Sequence, residues 1–120
     1  MILQAEGKKA VENLDEILEV QGIDILFVGP YDLSSSLGLI GQIDHPKVAA
    51  CIGEIIQKAG AKGVKVGCFA DNVDSARKLR ELGVRFVGYS CDTAIFMNAA
   101  AADIAAFSMQ RAETDGKEPV

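Results

Sequence analysis

Short, nearly uniform apolar runs alternate along this chain with longer stretches in which apolar residues recur every three or four positions. Residues 1–5, 25–28, 64–69 and 85–90 are the short runs, the pattern of strands covered by helices on a buried sheet. Between the first two, Val11, Leu14, Ile17 and Leu18 fall at helical spacing, with Glu12, Asp15, Glu16 and Glu19 outward and Gly22 as a stop. Residues 29–44 are rich in Ser and Gly and read as a long loop. Asp44-His45-Pro46 starts the next helix, whose inner stripe is Val48, Cys51, Ile52, Ile55, Ile56 and Ala59. Gly60 and Gly63 flank the following turn. Residues 72–82 form a helix closed by Gly83, and an Ala-rich helix spans residues 92–110.

Four strand–helix units in series predict an α/β fold with parallel strands, because such crossovers are right-handed and return each strand in the same direction. Units of about 30 residues, repeated four times, amount to half of a TIM (β/α)8 barrel of about 250 residues. An open four-stranded sheet is the competing geometry. Residues 1–110 are expected to form the domain and residues 111–120 a polar, disordered tail. In a half barrel, Leu3, Leu26 or Phe27, and Val66 would face the barrel interior, and the first and fourth strands would be open edges.

Composition narrows the function. The chain has 120 residues, 49% of them hydrophobic, and a net charge of −5 with no basic block. Nucleic acid is therefore an unfavourable partner. Gly60-Ala61-Lys62-Gly63 matches the loop of an RNA-binding KH module by spacing alone. No apolar run reaches the roughly 20 residues that span a bilayer, and charged Glu6, Lys8 and Lys9 interrupt any export signal. Cys51, Cys68 and Cys91 are odd in number and widely spaced, which suits free thiols in a reducing compartment. A cytoplasmic setting is expected, with no membrane partner.

The chemistry gathers where strands end. Glu6 follows the first strand and Asp32 follows the second, so both project at the C-terminal rim where parallel α/β folds build their sites. Two carboxylates sharing a rim repel unless a cation lies between them, and a hard divalent ion accepts both. The plainer alternative is that Glu6 caps a helix and Asp32 a turn. Gln4 shares the strand face of Glu6. Ser34-Ser35-Ser36 lacks any His in a nucleophile–base arrangement and reads as a structural turn.

Gln4-Ala5-Glu6, residues 10–18, Gly22-Ile23-Asp24 and the Phe27-Val28-Gly29-Pro30-Tyr31-Asp32-Leu33-Ser34 block with Leu37-Gly38 resemble the HpcH/HpaI family of class II aldolases. His45-Pro46-Lys47-Val48, Gly67-Cys68-Phe69, Leu82-Gly83 and residues 87–93 continue the resemblance in order, so that it covers residues 1–102. The resemblance implies the C-terminal half of a barrel. It also implies a metal-dependent carbon–carbon lyase that cleaves a 2-oxo-4-hydroxy acid to pyruvate, or a related 2-oxo acid, and an aldehyde. By the same resemblance Glu6 and Asp32 hold Mg²⁺, Mn²⁺ or Co²⁺, while Gln4, Tyr31, Asp32 and Phe69 contact the substrate. The ion would stabilise the enolate left by bond cleavage, so no Schiff-base lysine is needed; Lys65 is the only strand lysine. The family's general-base His and its Arg belong to the other half of the barrel. His45 matches a structural helix-start position, and no catalytic residue is assigned, because the general base is missing. The last helix packs across a subunit boundary in the family, which implies a homo-oligomer, or association with a first-half barrel. The alternative is a non-catalytic remnant or interaction module that keeps the fold.

Overall fold

A computed structural model describes residues 1–115, with side chains to residue 108. Two compact units emerge, residues 1–89 and residues from Ser90 onward.

In the first unit, strands β1 (Ile2–Gln4), β2 (Ile25–Val28), β3 (Lys65–Ala70) and β4 (Phe86–Tyr89) form one sheet in the order β1-β2-β3-β4, every pair parallel. Each strand lies beside its successor in the chain. An open doubly wound sheet would instead reverse its order at a switch point, so this is the strand progression of a barrel wall.

The helices all feed one face of that sheet. They are α1 (Lys8–Glu12), α2 (Leu14–Leu18), α3 (Pro30–Ser36), α4 (Pro46–Ala61) and α5 (Val73–Leu82). Leu14 and Leu18 of α2, Leu33 of α3, and Val48, Ile52, Ile55 and Ala59 of α4 form one buried cluster with Leu26, Val28, Val66 and Cys68 of the strands. Lys58 on α4 pairs with Asp15 of α2 at 2.9 Å, and Lys62, just past α4, with Glu19 at 2.5 Å. These are solvent-exposed pairs that add little to stability.

The register decides which face is which. Leu3, Leu26 and Val66 are aligned across β1, β2 and β3 and lie on the helix-covered face, Leu26 fully buried. The expectation that they face the barrel interior is corrected: of the residues named for that role, Phe27 takes it. Gln4, Phe27, Gly67 and Phe86 are the register partners on the open face. There Phe27 and Phe86 meet edge to face, ring centroids 6.0 Å apart. Uniformly apolar strands carry no alternation to reveal this.

Two local departures have physical causes. Residues 29–44 are not all loop, because α3 occupies the start: Pro30 sits at the first helical position, where its missing N–H costs nothing. Within α3, the Ser34 and Ser36 hydroxyls are satisfied locally by donating to the carbonyls of Tyr31 and Leu33, at 2.7 and 2.8 Å. The first predicted helix is broken at Asn13 (φ −100°, ψ 17°) into α1 and α2. Asn is a weak helix former.

His45 caps α4 as expected, its Nδ1 accepting from Lys47 N at 3.2 Å. Asn72 and Ser75 form a reciprocal capping box at the start of α5, and Gly83 ends that helix with φ 112°, a left-handed conformation suited to glycine.

The second unit is helix α6 (Asp92–Asp115). It runs past its expected end near Gln110, because Ala112 and Glu113 are good helix formers and no Gly or Pro intervenes before Gly116. Of the polar tail expected over residues 111–120, residues 116–120 lie outside the described residues. No helix among the described residues is long and apolar enough to cross a membrane.

Candidate active site at the C-terminal rim

The rim of β1 and β2 is built by two consecutive chain reversals. Ala5 extends the β1–β2 ladder by donating to Phe27 O at 2.7 Å, which carries Glu6 to the strand end beside Gly29. Gly29 is the N-cap of α3, and the helix then presents Asp32 in its first turn. An acidic residue there is favoured by the helix dipole.

Both carboxylates converge over Gly29. A β-carbon at that position would stand 2.8 Å from Glu6 Oε2 and 3.5 Å from Asp32 Oδ2. The two oxygens therefore both border the small space a side chain would fill. Gln4 Nε2 donates to Glu6 Oε2 from the open face of β1, orienting that carboxylate. Neither acid does the simpler job foreseen for it: the N-caps are Gly7 for α1 and Gly29 for α3, each without a side-chain cap bond. The first amide of α1, at Lys8, instead donates to Ser36 Oγ at 2.9 Å. The serine run is thus structural, tying α3 to α1.

Phe69 and Tyr31 form the neighbouring wall. Phe69 is half-buried near the end of β3 and meets the Tyr31 ring edge-on at 6.4 Å. Tyr31 Oη donates to Asp71 Oδ2 at 2.9 Å. Partial burial, then that hydrogen bond and the Asp71 charge, raise the Tyr31 phenol above its ordinary pKa. Gln4, Glu6, Tyr31, Asp32 and Phe69 thus all lie at the C-terminal ends of β1, β2 and β3, with Gln4, Glu6 and Asp32 on one side and Tyr31 with Phe69 on the other.

Asp71 is the residue that reading the sequence missed. Its signal was the one that exposed Glu6 and Asp32: a carboxylate immediately after an apolar strand, here β3.

The donor set suits a hard divalent ion. Two carboxylate ligands over a floor of bare glycine leave coordination positions for water and substrate oxygens. Among the described residues no cluster of three or more His, Cys, Asp or Glu side chains forms a closed metal site.

Known proteins are similar to this chain over most of its length. Residues 1–99 match the family described as HpcH/HpaI aldolase/citrate lyase. The 4-hydroxy-2-oxo-heptane-1,7-dioate aldolase of Escherichia coli is 37% identical over 110 residues, covering 92% of this chain and 42% of that protein. The hydroxypyruvate/pyruvate aldolase of Agrobacterium fabrum is 40% identical over 98 residues, 82% of this chain and 37% of its own. An HpcH/HpaI aldolase/citrate lyase family protein from Burkholderia cenocepacia superposes with a TM-score of 0.85 at 34% identity, over 89% of this chain and 42% of that one. The chain thus spans less than half the length of these relatives, and its strand order is that of one part of a TIM barrel. This chain belongs to the HpcH/HpaI aldolase/citrate lyase family.

Proposed function

We propose that this chain carries the ion-binding half of a metal-dependent aldolase site. The reaction is cleavage of a 2-oxo-4-hydroxy acid to pyruvate, or a related 2-oxo acid, and an aldehyde. One observation carries the reading: the Glu6 and Asp32 carboxylates converge over Gly29 at the strand ends. The relatives named as aldolases support the reaction class.

Glu6 and Asp32 are the residues that would hold the ion, which we take to be Mg²⁺, Mn²⁺ or Co²⁺. When bound, the ion supplies a Lewis acid for the 2-oxo and carboxylate oxygens of the substrate. Gln4 fixes Glu6 through its amide and lies on the same open face as the substrate it would contact. The first-turn amides of Tyr31 and Asp32 point donors toward a substrate carboxylate, as helix starts do. Phe69 walls the site and keeps water from the reacting carbons.

Proton transfer is the missing function. The chain contains a single His, and His45 is spent as the cap of α4. With no base of the right kind beside the rim, the chain alone is expected to bind a 2-oxo acid but to turn over little or none. A first-half barrel, or a further copy of the chain, would complete the site. The free thiols Cys51, Cys68 and Cys91 fit a reducing, cytoplasmic setting.

Calorimetric titration tests the reading. Pyruvate should bind the chain only when Mn²⁺ is present, and Asp32→Asn should abolish that binding. Pyruvate binding that ignores the ion, or no binding under either condition, refutes it.

A further inference from the structure

Tyr31 and Asp71 stand at neighbouring points on the rim, forty positions apart in the chain. Tyr31 lies in the first turn of α3, one residue before Asp32, and Asp71 directly follows β3. The 2.9 Å bond from Tyr31 Oη to Asp71 Oδ2 therefore ties the start of α3 to the end of the next strand. The Tyr31 backbone is held as well, because the buried Ser34 hydroxyl donates to its carbonyl at 2.7 Å. Its ring rests edge-on against Phe69. By contrast, among the described residues nothing hydrogen-bonds or ion-pairs with the Asp32 carboxylate itself. That carboxylate takes its position from the turn that carries it.

We propose that Tyr31 and Asp71 are a positioning pair: their hydrogen bond holds the first turn of α3, and with it Asp32, at the separation from Glu6 that one divalent ion requires. The inference rests on reading Glu6 and Asp32 as ion ligands. A ligand fixed before the ion arrives binds more tightly than one that must be ordered on binding, and partners that orient metal ligands are commonly worth 10- to 100-fold in affinity. The pair adds no ligand of its own. Tyr31 bridges two strand ends that the sheet leaves unconnected beyond its last ladder bond.

The bond can be separated from the Asp71 charge. Tyr31→Phe keeps the ring against Phe69 and removes only the donor. Asp71→Ala removes acceptor and charge together. Asp71→Asn removes the charge but keeps a side-chain oxygen that can accept from Tyr31. Mn²⁺ affinity of the full chain is read from the electron paramagnetic resonance signal of free Mn²⁺, with Glu6→Gln as the variant that removes a ligand. Thermal unfolding checks that each variant is folded. Tyr31→Phe and Asp71→Ala are each expected to weaken binding about tenfold. Asp71→Asn should restore most of the loss, and the Tyr31→Phe/Asp71→Ala double variant should bind no worse than the weaker single variant. Tyr31→Phe binding within twofold of wild type overturns the proposal, whatever Asp71→Ala does. Equal losses in Asp71→Asn and Asp71→Ala also overturn it, since the charge would then be acting directly. A wild-type chain that binds Mn²⁺ no better than Glu6→Gln fails differently. It refutes the ion site, and the positioning role falls with it.

Discussion

Gly29 lies directly beneath Glu6: a β-carbon on Gly29 would stand 2.8 Å from the carboxylate oxygen Oε2 and 3.3 Å from the Glu6 Cβ. The backbone there (φ −89°, ψ 100°) is open to any residue, so the glycine is required by the space above it and not by conformation.

Gly29→Ala should therefore separate stability from ion binding. Alanine fits the backbone and shortens the list of unfolded conformations, which keeps the stability change within about 1 kcal/mol. The Glu6 carboxylate must move, and Mn²⁺ affinity should fall by about tenfold or more, on the scale seen when ligand orientation is disturbed. Chemical denaturation and Mn²⁺ titration of the same variant check both halves. A large loss of stability with unchanged affinity would mean the methyl group is accommodated by the sheet instead of by Glu6.

Much of this site was legible from position alone. Glu6 and Asp32 each follow an apolar run, and Gly29-Pro30 marks the turn between strand and helix. Asp71 carries the same mark but lies between a strand and an obvious helix start, so it reads as part of the cap made by Asn72. Helix α3 is hidden for another reason: Ser and Gly are turn formers by composition, and only the backbone bonds from Leu33 to Gly29 and from Leu37 to Leu33 show that the run is helical. The faces of the sheet are not encoded locally at all. Leu26 and Phe27 are equally apolar, and what separates them is that α2, α3 and α4 cover one side while glycines make room on the other.

That division of faces predicts two different failures. Leu26 is fully buried under the helices, and Leu26→Ala should cost about 2–5 kcal/mol by removing packed methyl groups and leaving a cavity. Gly67 lies on the opposite face, where an added β-carbon would come within 2.7 Å of Phe27 Cδ2 and 3.0 Å of Phe86 Cδ1. Gly67→Ala should cost about 1–3 kcal/mol by overpacking. It should also disturb the aromatic pair, visible in the near-ultraviolet circular dichroism, while Leu26→Ala leaves that signal largely intact. Urea denaturation ranks the two.

The three thiols should separate cleanly under alkylation. Cys68 is fully buried, and burial pushes its thiol up to about 11. Cys91 is exposed, and hydrogen bonds from the Thr93 side chain and the local backbone hold its thiol below the ordinary value. Thiolate is the reactive form. At pH 8 a lowered pKa therefore enlarges the reactive fraction of Cys91, while a raised one keeps Cys68 protonated. Cys68 stays largely neutral until the pH approaches about 11, so it should remain the slowest of the three through the mildly alkaline range. Iodoacetamide labelling followed by mass spectrometry should find Cys91 modified first and Cys68 last. Early modification of Cys68 would show that the β3 core opens on the labelling timescale.

Association is the final expectation, and it follows from the two ends of the sheet. Strands β1 and β4 are both edges, with no partner on their outer sides within the first unit. Neither contains a proline, and their apolar residues are uncovered: Ile2 is 56% exposed, Phe86 43% and Tyr89 50%. Edges of this kind recruit further strands unless charge, proline or a covering element prevents it. Within the first unit the helix side of β4 is grooved as well, Val73, Ala76, Arg80, Val87 and Tyr89 lining a groove of about 840 Å³. The open face adds Phe27 and Phe86, which in a closed barrel would be packed. Purified alone, the chain should therefore form dimers or larger assemblies at micromolar concentration by multi-angle light scattering. Substituting Lys for Phe86, on the edge strand, should shift the distribution toward monomer, because an edge charge opposes strand pairing. A monodisperse wild-type monomer with a single cooperative unfolding transition would mean that the four strands and their helices form a self-sufficient open sheet, one that needs no second half to cover the face carrying Gln4 and Phe27.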